Sequence, residues 1–242
     1  MKKKIFGLLG RGIGYSFSKK YFSEKFKTQF LHDHSYEVFD IDSLESLPGL
    51  LREDRLKGFN VTIPYKEQII PLLDEVSSEA ALIGAVNTVK IREGKAVGYN
   101  TDAYGFEKTL LLHKKPHHTH ALILGNGGAS KAVQYVLKKH GIAFETVSRS
   151  LELNYHTLPK ELVSTHTLIV QTTPVGTFPM VNDCLDFPFE ALSSNHLVID
   201  LIYNPTFTAF MDRAAEHGAK CVNGYFMLEQ QAEKAWEIWN AE

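Results

Sequence analysis

Little in this sequence permits a stapled or metal-clustered fold. Only two cysteines, Cys184 and Cys221, occur in 242 residues, too few for a disulfide framework or a cysteine-rich metal site. Long apolar runs are missing as well: no stretch approaches the roughly 18–20 residues that a membrane span needs. Neither sign of charge is in excess. Lysine and arginine total 26 against 28 aspartate and glutamate, which leaves no basic surplus for nucleic acid and no acidic block for a solvating tail. The start has the outline of an export signal, Lys2, Lys3 and Lys4 followed by Ile5-Phe6-Gly7-Leu8-Leu9-Gly10. Arg11 ends that apolar run after about six residues, short of the roughly 7–15 an export segment needs. The segment reads instead as a first β-strand, and the chain as a soluble cytoplasmic protein.

What is present is a chain long enough for one to two domains at roughly 150 residues each, with a core and a cleft between two lobes. Short apolar runs alternate with amphipathic stretches, the pattern of an α/β fold. Strands are predicted at 4–9, 36–41, 58–63, 120–124, 143–148, 168–171 and 197–201. Helices are predicted at 18–30, where Phe22, Phe26 and Phe30 share a face, and at 43–52, 102–113, 129–140, 206–217 and 225–239. Residues 85–99 read as a hairpin turning at Glu93-Gly94. The polar break at 114–119, with His113, His117, His118 and His120 around it, reads as an exposed domain linker rather than a metal site. No metal is expected.

The run Leu122-Ile123-Leu124-Gly125-Asn126-Gly127-Gly128-Ala129 is strand, tight turn and helix start in succession. Gly125 permits the turn, Gly127 lets backbone approach a pyrophosphate, and the following helix offers unpaired N–H groups. The same pattern also suits a strand-to-helix connection with no ligand. The next strand ends in Ser148-Arg149-Ser150, where a dinucleotide site for NAD would carry an acidic residue on the ribose. A guanidinium there pairs with a 2′-phosphate and favours NADP; the alternative is an ordinary solvated arginine.

The first half holds further polar groups in apolar settings. Asn60 and Thr62 share one face of a strand, Pro64 breaks it, and Lys66 follows at the start of a helix, where a cation is electrostatically misplaced and its pKa can fall. Asn87 and Thr88 sit inside an apolar strand and need partners, which structure or a ligand supplies. Asp102 reads as a helix cap or a functional carboxylate. Ser16 and Ser18, after a glycine-rich loop, suit a carboxylate, although Ser18 alone could be an N-cap.

Taken together, these segments resemble the shikimate dehydrogenase family, in order and over nearly the whole chain. Residues 58–67 resemble its N-V-T-x-P-x-K motif, 83–88 its G-A-x-N-T, 100–105 its N-T-D-x-x-G and 125–129 its G-x-G-G-A. Residues 171–176 are similar to its N-T-T-P-x-G with Gln171 for Asn, 200–208 to its D-x-x-Y-x-P-x-x-T, and 224–231 to its G-x-x-M-L-x-x-Q. The segment Tyr15-Ser16-Phe17-Ser18-Lys19 keeps the two serines of H-S-x-S-P but not the histidine or proline, and Glu152 stands where a second positive charge is usual.

The resemblance implies two lobes. Residues 1–102 would form an α/β substrate-binding catalytic domain and 103–223 a Rossmann-type NADP-binding domain, with helix 224–242 returning to the first lobe. It implies NADP-dependent reversible reduction of 3-dehydroshikimate to shikimate, in the pathway to chorismate and the aromatic amino acids. Lys66 and Asp102 would be catalytic. Ser16, Ser18, Asn60, Thr62, Asn87, Gln231 and Tyr203 would bind substrate. Gly125, Asn126, Gly127, Gly128, Ala129, Ser148, Arg149, Ser150, Thr173 and Gly224 would bind cofactor. Small molecules are the only partners expected, with neither nucleic acid nor membrane, and the protein would be a monomer or homodimer.

Overall fold

The computed structural model describes residues 3–14 and 17–241. The chain divides into two compact units, Met1–Thr101 with Ala232–Glu242, and Asp102–Gln231.

In the first unit, β1 (Lys4–Gly10), α1 (Phe17–Thr28), β2 (His34–Asp40), α2 (Leu47–Leu51), β3 (Leu56–Val61) and α3 (Tyr65–Gln68) are followed by β4 (Glu75–Val76), α4 (Ser78–Ile83), β5 (Thr88–Arg92) and β6 (Lys95–Tyr99). The sheet order is β2-β1-β3-β5-β6-β4. β1 lies parallel to β2 and β3, whereas β5 runs antiparallel to both β3 and β6. Alternation along β1 serves two cores. Phe6 and Leu8 join Phe22 and Phe26 of α1, while Leu9 joins Leu56, Phe59, Val61 and Val89.

Two local departures from the periodicity have physical causes. α1 ends at Thr28 because the chain turns back: the Leu31 N–H donates to Phe26 O and the Phe30 N–H to Lys27 O. This paired C-terminal motif places Phe30 in the left-handed region, φ 56°. Phe30 is therefore 78% exposed, and the expected buried triplet is the pair Phe22 and Phe26. The helix expected over 43–52 is a 3-10 turn followed by α2, which restarts with Pro48 in its first turn. The hairpin turns where expected, with both Glu93 (φ 54°) and Gly94 (φ 77°) left-handed. Asn87 precedes β5 rather than lying within it.

α9 (Tyr225–Asn240) begins in the second unit, and its last turns belong to the first. There Trp239 packs at tilted angles against Phe6, Phe22 and Tyr36, and its indole N–H donates to Val89 O at 2.9 Å. Gly58 makes the room: a Cβ on it would overlap the Trp239 ring and lie 2.7 Å from Val89 O. Glu233 ties the same helix to α1, accepting from Lys25 Nζ at 2.6 Å and from the Tyr21 hydroxyl.

The second unit runs α5 (Asp102–His113), β7 (His120–Leu124), α6 (Gly128–Lys139), β8 (Ala143–Val147), α7 (Lys160–Thr165), β9 (Leu168–Gln171), β10 (Leu197–Asp200), α8 (Ala209–Glu216), β11 (Lys220–Val222) and the first part of α9. All its strands are parallel, in the order β11-β10-β9-β7-β8. The inner strands β7, β9 and β10 read as nearly continuous apolar runs because both faces are covered, whereas the edge strand β8 alternates in exposure. α5 approaches α9 at Gly105, where a Cβ would lie 2.5 Å from Met227 O. Asp102 is the first residue of α5 rather than the residue capping it. The histidine segment is not wholly exposed: His118 is buried, accepts from the Lys115 N–H, and shares Asn195 O with His117. Among the described residues there is no metal-ligating cluster, and no helix is long and apolar enough to cross a membrane.

Candidate active site

The order of the second sheet reverses between β7 and β9, and in such sheets ligands sit at the carboxyl ends of the strands flanking that reversal. The glycine turn follows β7 at this place. Gly125 has φ +116°, and a Cβ on it would lie 2.5 Å from Thr172 Oγ1, so both backbone and space demand glycine. The crowding has a cause in the loop after β9. Thr172 donates to Leu124 O through its N–H (2.9 Å) and its hydroxyl (2.8 Å). The fully buried Gln171 tightens the same loop, accepting the Thr173 N–H at 2.5 Å and donating to Val175 O.

Gly127, by contrast, caps α6 with nothing within 4 Å of where a Cβ would be. That open space stands over the unpaired N–H groups of the helix start, with Gly128 and Ala129 half-buried beneath it. The donor set and the space suit a pyrophosphate. Asn126 donates to Ser150 Oγ at 2.8 Å, which ties the turn to the Ser148-Arg149-Ser150 loop. Arg149 is exposed. Gly224 has a packing reason of its own: its N–H bonds Ile202 O and its Cα faces the Leu201 carbonyl too closely for a side chain.

Behind this surface Asp200 ends β10. It accepts from the Ile202 N–H (3.0 Å) and from Thr208 Oγ1 (2.7 Å), and Thr208 in turn caps α8 at Met211 N. Burial pushes the Asp200 carboxyl up to about 6, against those two bonds. An acid raised from 3.8 to about 6 holds its proton more tightly when folded, so its contribution is complete below about pH 4 and is lost as pH rises through about 6. We expect Asp200→Asn to gain up to about 3 kcal/mol of stability relative to the native protein between pH 4 and 7, from two pKa units at 1.36 kcal/mol each. Urea midpoints across that range measure it, and parallel profiles for the two proteins would show a carboxyl ionised throughout. Burial also raises the half-buried Tyr203 phenol. Gln231 is buried and donates to Leu228 O within its own helix.

In the first unit the polar groups converge around the ends of β1 and β3. Thr62 donates its N–H to Leu9 O and accepts from Tyr65 N, which starts α3. The Tyr65 hydroxyl donates to Ile41 O at 2.7 Å, and Lys66 O accepts the Val86 N–H at 2.7 Å. These bonds hold half-buried Lys66 on the backbone next to Asn87. The Asn87 carbonyl accepts the Thr101 N–H at 2.6 Å and its amide donates to Thr101 Oγ1 at 3.0 Å, fixing the residue that leads into Asp102. Asn60 donates to Thr88 Oγ1 at 3.1 Å and accepts the Tyr36 hydroxyl at 2.8 Å. Asp40 receives the N–H groups of Gly12 and Ile13 at 2.8 and 3.0 Å and so holds the glycine-rich loop. Ser18 lies half-buried in the first turn of α1. Ser16 lies outside the described residues.

Tyr36, Asp40, Thr101 and Thr172 do not stand out in the sequence. Tyr36 sits on an aromatic-rich face and its polar tip matters only once Asn60 is known to lie beneath it.

A five-stranded parallel sheet with a glycine turn at its reversal, joined to a second α/β unit rich in buried amides, defines a two-unit dinucleotide-binding protein. A family model, shikimate dehydrogenase substrate binding domain, matches residues 8–89. A shikimate dehydrogenase (NADP(+)) of Methanococcus maripaludis is 35% identical over 98% of this chain and 92% of its own. The crystal structure of shikimate dehydrogenase from Aquifex aeolicus superposes with TM-score 0.88 at 36% identity, covering 98% of this chain and 92% of that one. The enzyme from Thermus thermophilus, solved in complex with NADP(H) and shikimate, gives 0.87 at 34%, over 98% and 93% of the two chains. The chain belongs to the shikimate dehydrogenase family.

Proposed function

We propose that the chain is an NADP-dependent shikimate dehydrogenase that reversibly reduces the ketone of 3-dehydroshikimate to the alcohol of shikimate. The reaction lies on the route to chorismate and the aromatic amino acids, requires only small-molecule partners, and is placed in the cytoplasm. The first unit would be the substrate domain and the second the cofactor domain. The observation that carries the reading is the bond from Asn126 to Ser150, which keeps Arg149 on the loop beside the open helix start at Gly127.

Gly125 to Ala129, Ser148 to Ser150, Thr173 and Gly224 would hold NADP, whose nicotinamide supplies or accepts the hydride when bound. Ser16 and Ser18 would donate to the substrate carboxylate, and Asn60, Thr62, Asn87 and Gln231 to its hydroxyls, with Tyr203 closing the substrate site. As the ketone oxygen gains charge, Lys66 would stabilise it and then deliver a proton to it, and Asp102 would anchor the lysine and a substrate hydroxyl.

The test is a comparison of initial rates with shikimate or quinate and with NADP+ or NAD+. The reading expects shikimate with NADP+ to be the fastest pair; quinate with NAD+ in first place would overturn it. Arg149→Ala should raise KM for NADP+ and leave that for NAD+ nearly unchanged, since one charged hydrogen-bonding contact contributes on the order of 1.5–3 kcal/mol. Equal shifts for both cofactors would remove Arg149 from the 2′-phosphate.

A further inference from the structure

Tyr36 is a buried side chain of β2, whose own residues carry no role in the reaction as proposed. Its ring stacks on Phe22 at 4.6 Å and 10°, and burial pushes its phenol far above the ordinary value, so it stays protonated. Its hydroxyl donates to Asn60 Oδ1 at 2.8 Å, and Ser18 is the other side chain that interacts with the same oxygen. Beyond Asn60 the chain of bonds continues through the amide to Thr88 Oγ1 at 3.1 Å, and from Thr88 to Asn87 Oδ1 and Thr101 Oγ1, each at 3.2 Å.

An asparagine amide has two faces, a carbonyl that accepts and an NH2 that donates, and which way it points depends on its neighbours. Tyr36 has one proton and gives it to the Asn60 carbonyl. That choice directs the Asn60 NH2 toward Thr88 Oγ1 and Asn87 O. It also leaves the phenol oxygen as an acceptor, which orients the Ser18 hydroxyl. From this we infer that Tyr36 is a positioning residue for substrate recognition. Through one hydroxyl it sets the orientation of Ser18, the group assigned to the carboxylate, and of Asn60, the group assigned to a ring hydroxyl. Tyr36 thereby makes recognition depend on a substrate that presents both at once. The inference rests on the roles proposed above for those two residues.

The ring and the hydroxyl of Tyr36 separate experimentally. Tyr36→Phe keeps the stack on Phe22 and removes only the proton donor. It should raise KM for shikimate about tenfold, with kcat changed by less than about threefold and KM for NADP+ unaltered, as expected of uniform substrate binding. In Tyr36→Phe, adding Asn60→Ala should raise KM by less than it does in the native protein, because the two act as one unit. Phe26→Leu, in the same aromatic cluster, is the control for lost packing: its melting temperature should fall while its KM for shikimate stays put. If Tyr36→Phe is itself poorly folded, the Asn60 step is read in Ser18→Ala instead, where the same less-than-additive KM is expected. An unchanged KM for shikimate in Tyr36→Phe, or fully additive effects, overturns the inference. Native protein that fails to oxidise shikimate overturns the functional reading beneath it, so the two failures are distinct.

Discussion

Lys66→Ala is expected to lower turnover by roughly 10²–10⁴-fold, the usual contribution of a positioned acid or base, with KM for shikimate little changed. The asymmetry follows from when the proton is needed. The substrate ketone is neutral in the ground state, and only the developing alkoxide demands a donor, so in the role proposed for it Lys66 would be engaged chiefly in the transition state. The backbone around it is well determined: Lys66 O is bonded to Val86 N, and the neighbouring Tyr65 is anchored through its hydroxyl to Ile41 O. Truncating the lysine therefore removes its amine without undoing α3. Asp102→Asn should also lower turnover, by removing the charge assigned to hold the lysine while keeping the shape. The losses should fall well short of additive in the double variant. Steady-state kinetics of the four proteins measure this. Near-normal turnover with only a raised KM in Lys66→Ala would make the lysine a binding residue.

The largest loss of stability is expected from Trp239→Ala, about 3–5 kcal/mol, as for other buried indoles. Three terms contribute. The indole fills the space that Gly58 leaves open, it contacts the rings of Phe6, Phe22 and Tyr36, and it satisfies Val89 O. Its removal leaves a cavity and an unpaired carbonyl together. Chemical denaturation reads the change as a shift in midpoint. A loss below about 1 kcal/mol would mean that the site collapses around the missing ring, against the tight packing of the cluster.

Trp239 and Gly58 also illustrate what sequence reasoning reaches. Each is unremarkable locally, a tryptophan late in an amphipathic helix and a glycine in a strand. Their fit is decided by the return of α9 to the first unit, which no local pattern encodes. The same holds for Tyr36 and Asn60, which sit on different strands, and for Asp40 and the loop at Gly12. By contrast the β7–turn–α6 segment is legible because its demands are local: a buried parallel strand, a glycine with positive φ, and a helix start follow one another directly. α5, β7 and β9 coincide with their predicted bounds for a related reason, since each is bordered by clear breaks. The 102–113 segment has a polar break after it, yet its first residue is helical and not a cap. Phe30 shows the opposite failure, an apolar periodicity that continues past the point where backbone bonding has already turned the chain. The short elements α4, α7 and β11 escape notice because too few residues establish a period. His118 escapes because its burial depends on Asn195, far along the chain.

The most direct test of the central claim uses shikimate deuterated at the carbinol carbon that would become the ketone. Purified protein is incubated with it and NADP+, and the reduced cofactor is analysed by mass spectrometry. If the chain is an NADP-dependent shikimate dehydrogenase, NADPH forms carrying one deuterium, in equal amount to the 3-dehydroshikimate produced. Ketone formed with unlabelled NADPH, or no reduction of NADP+ by shikimate at all, would contradict the account.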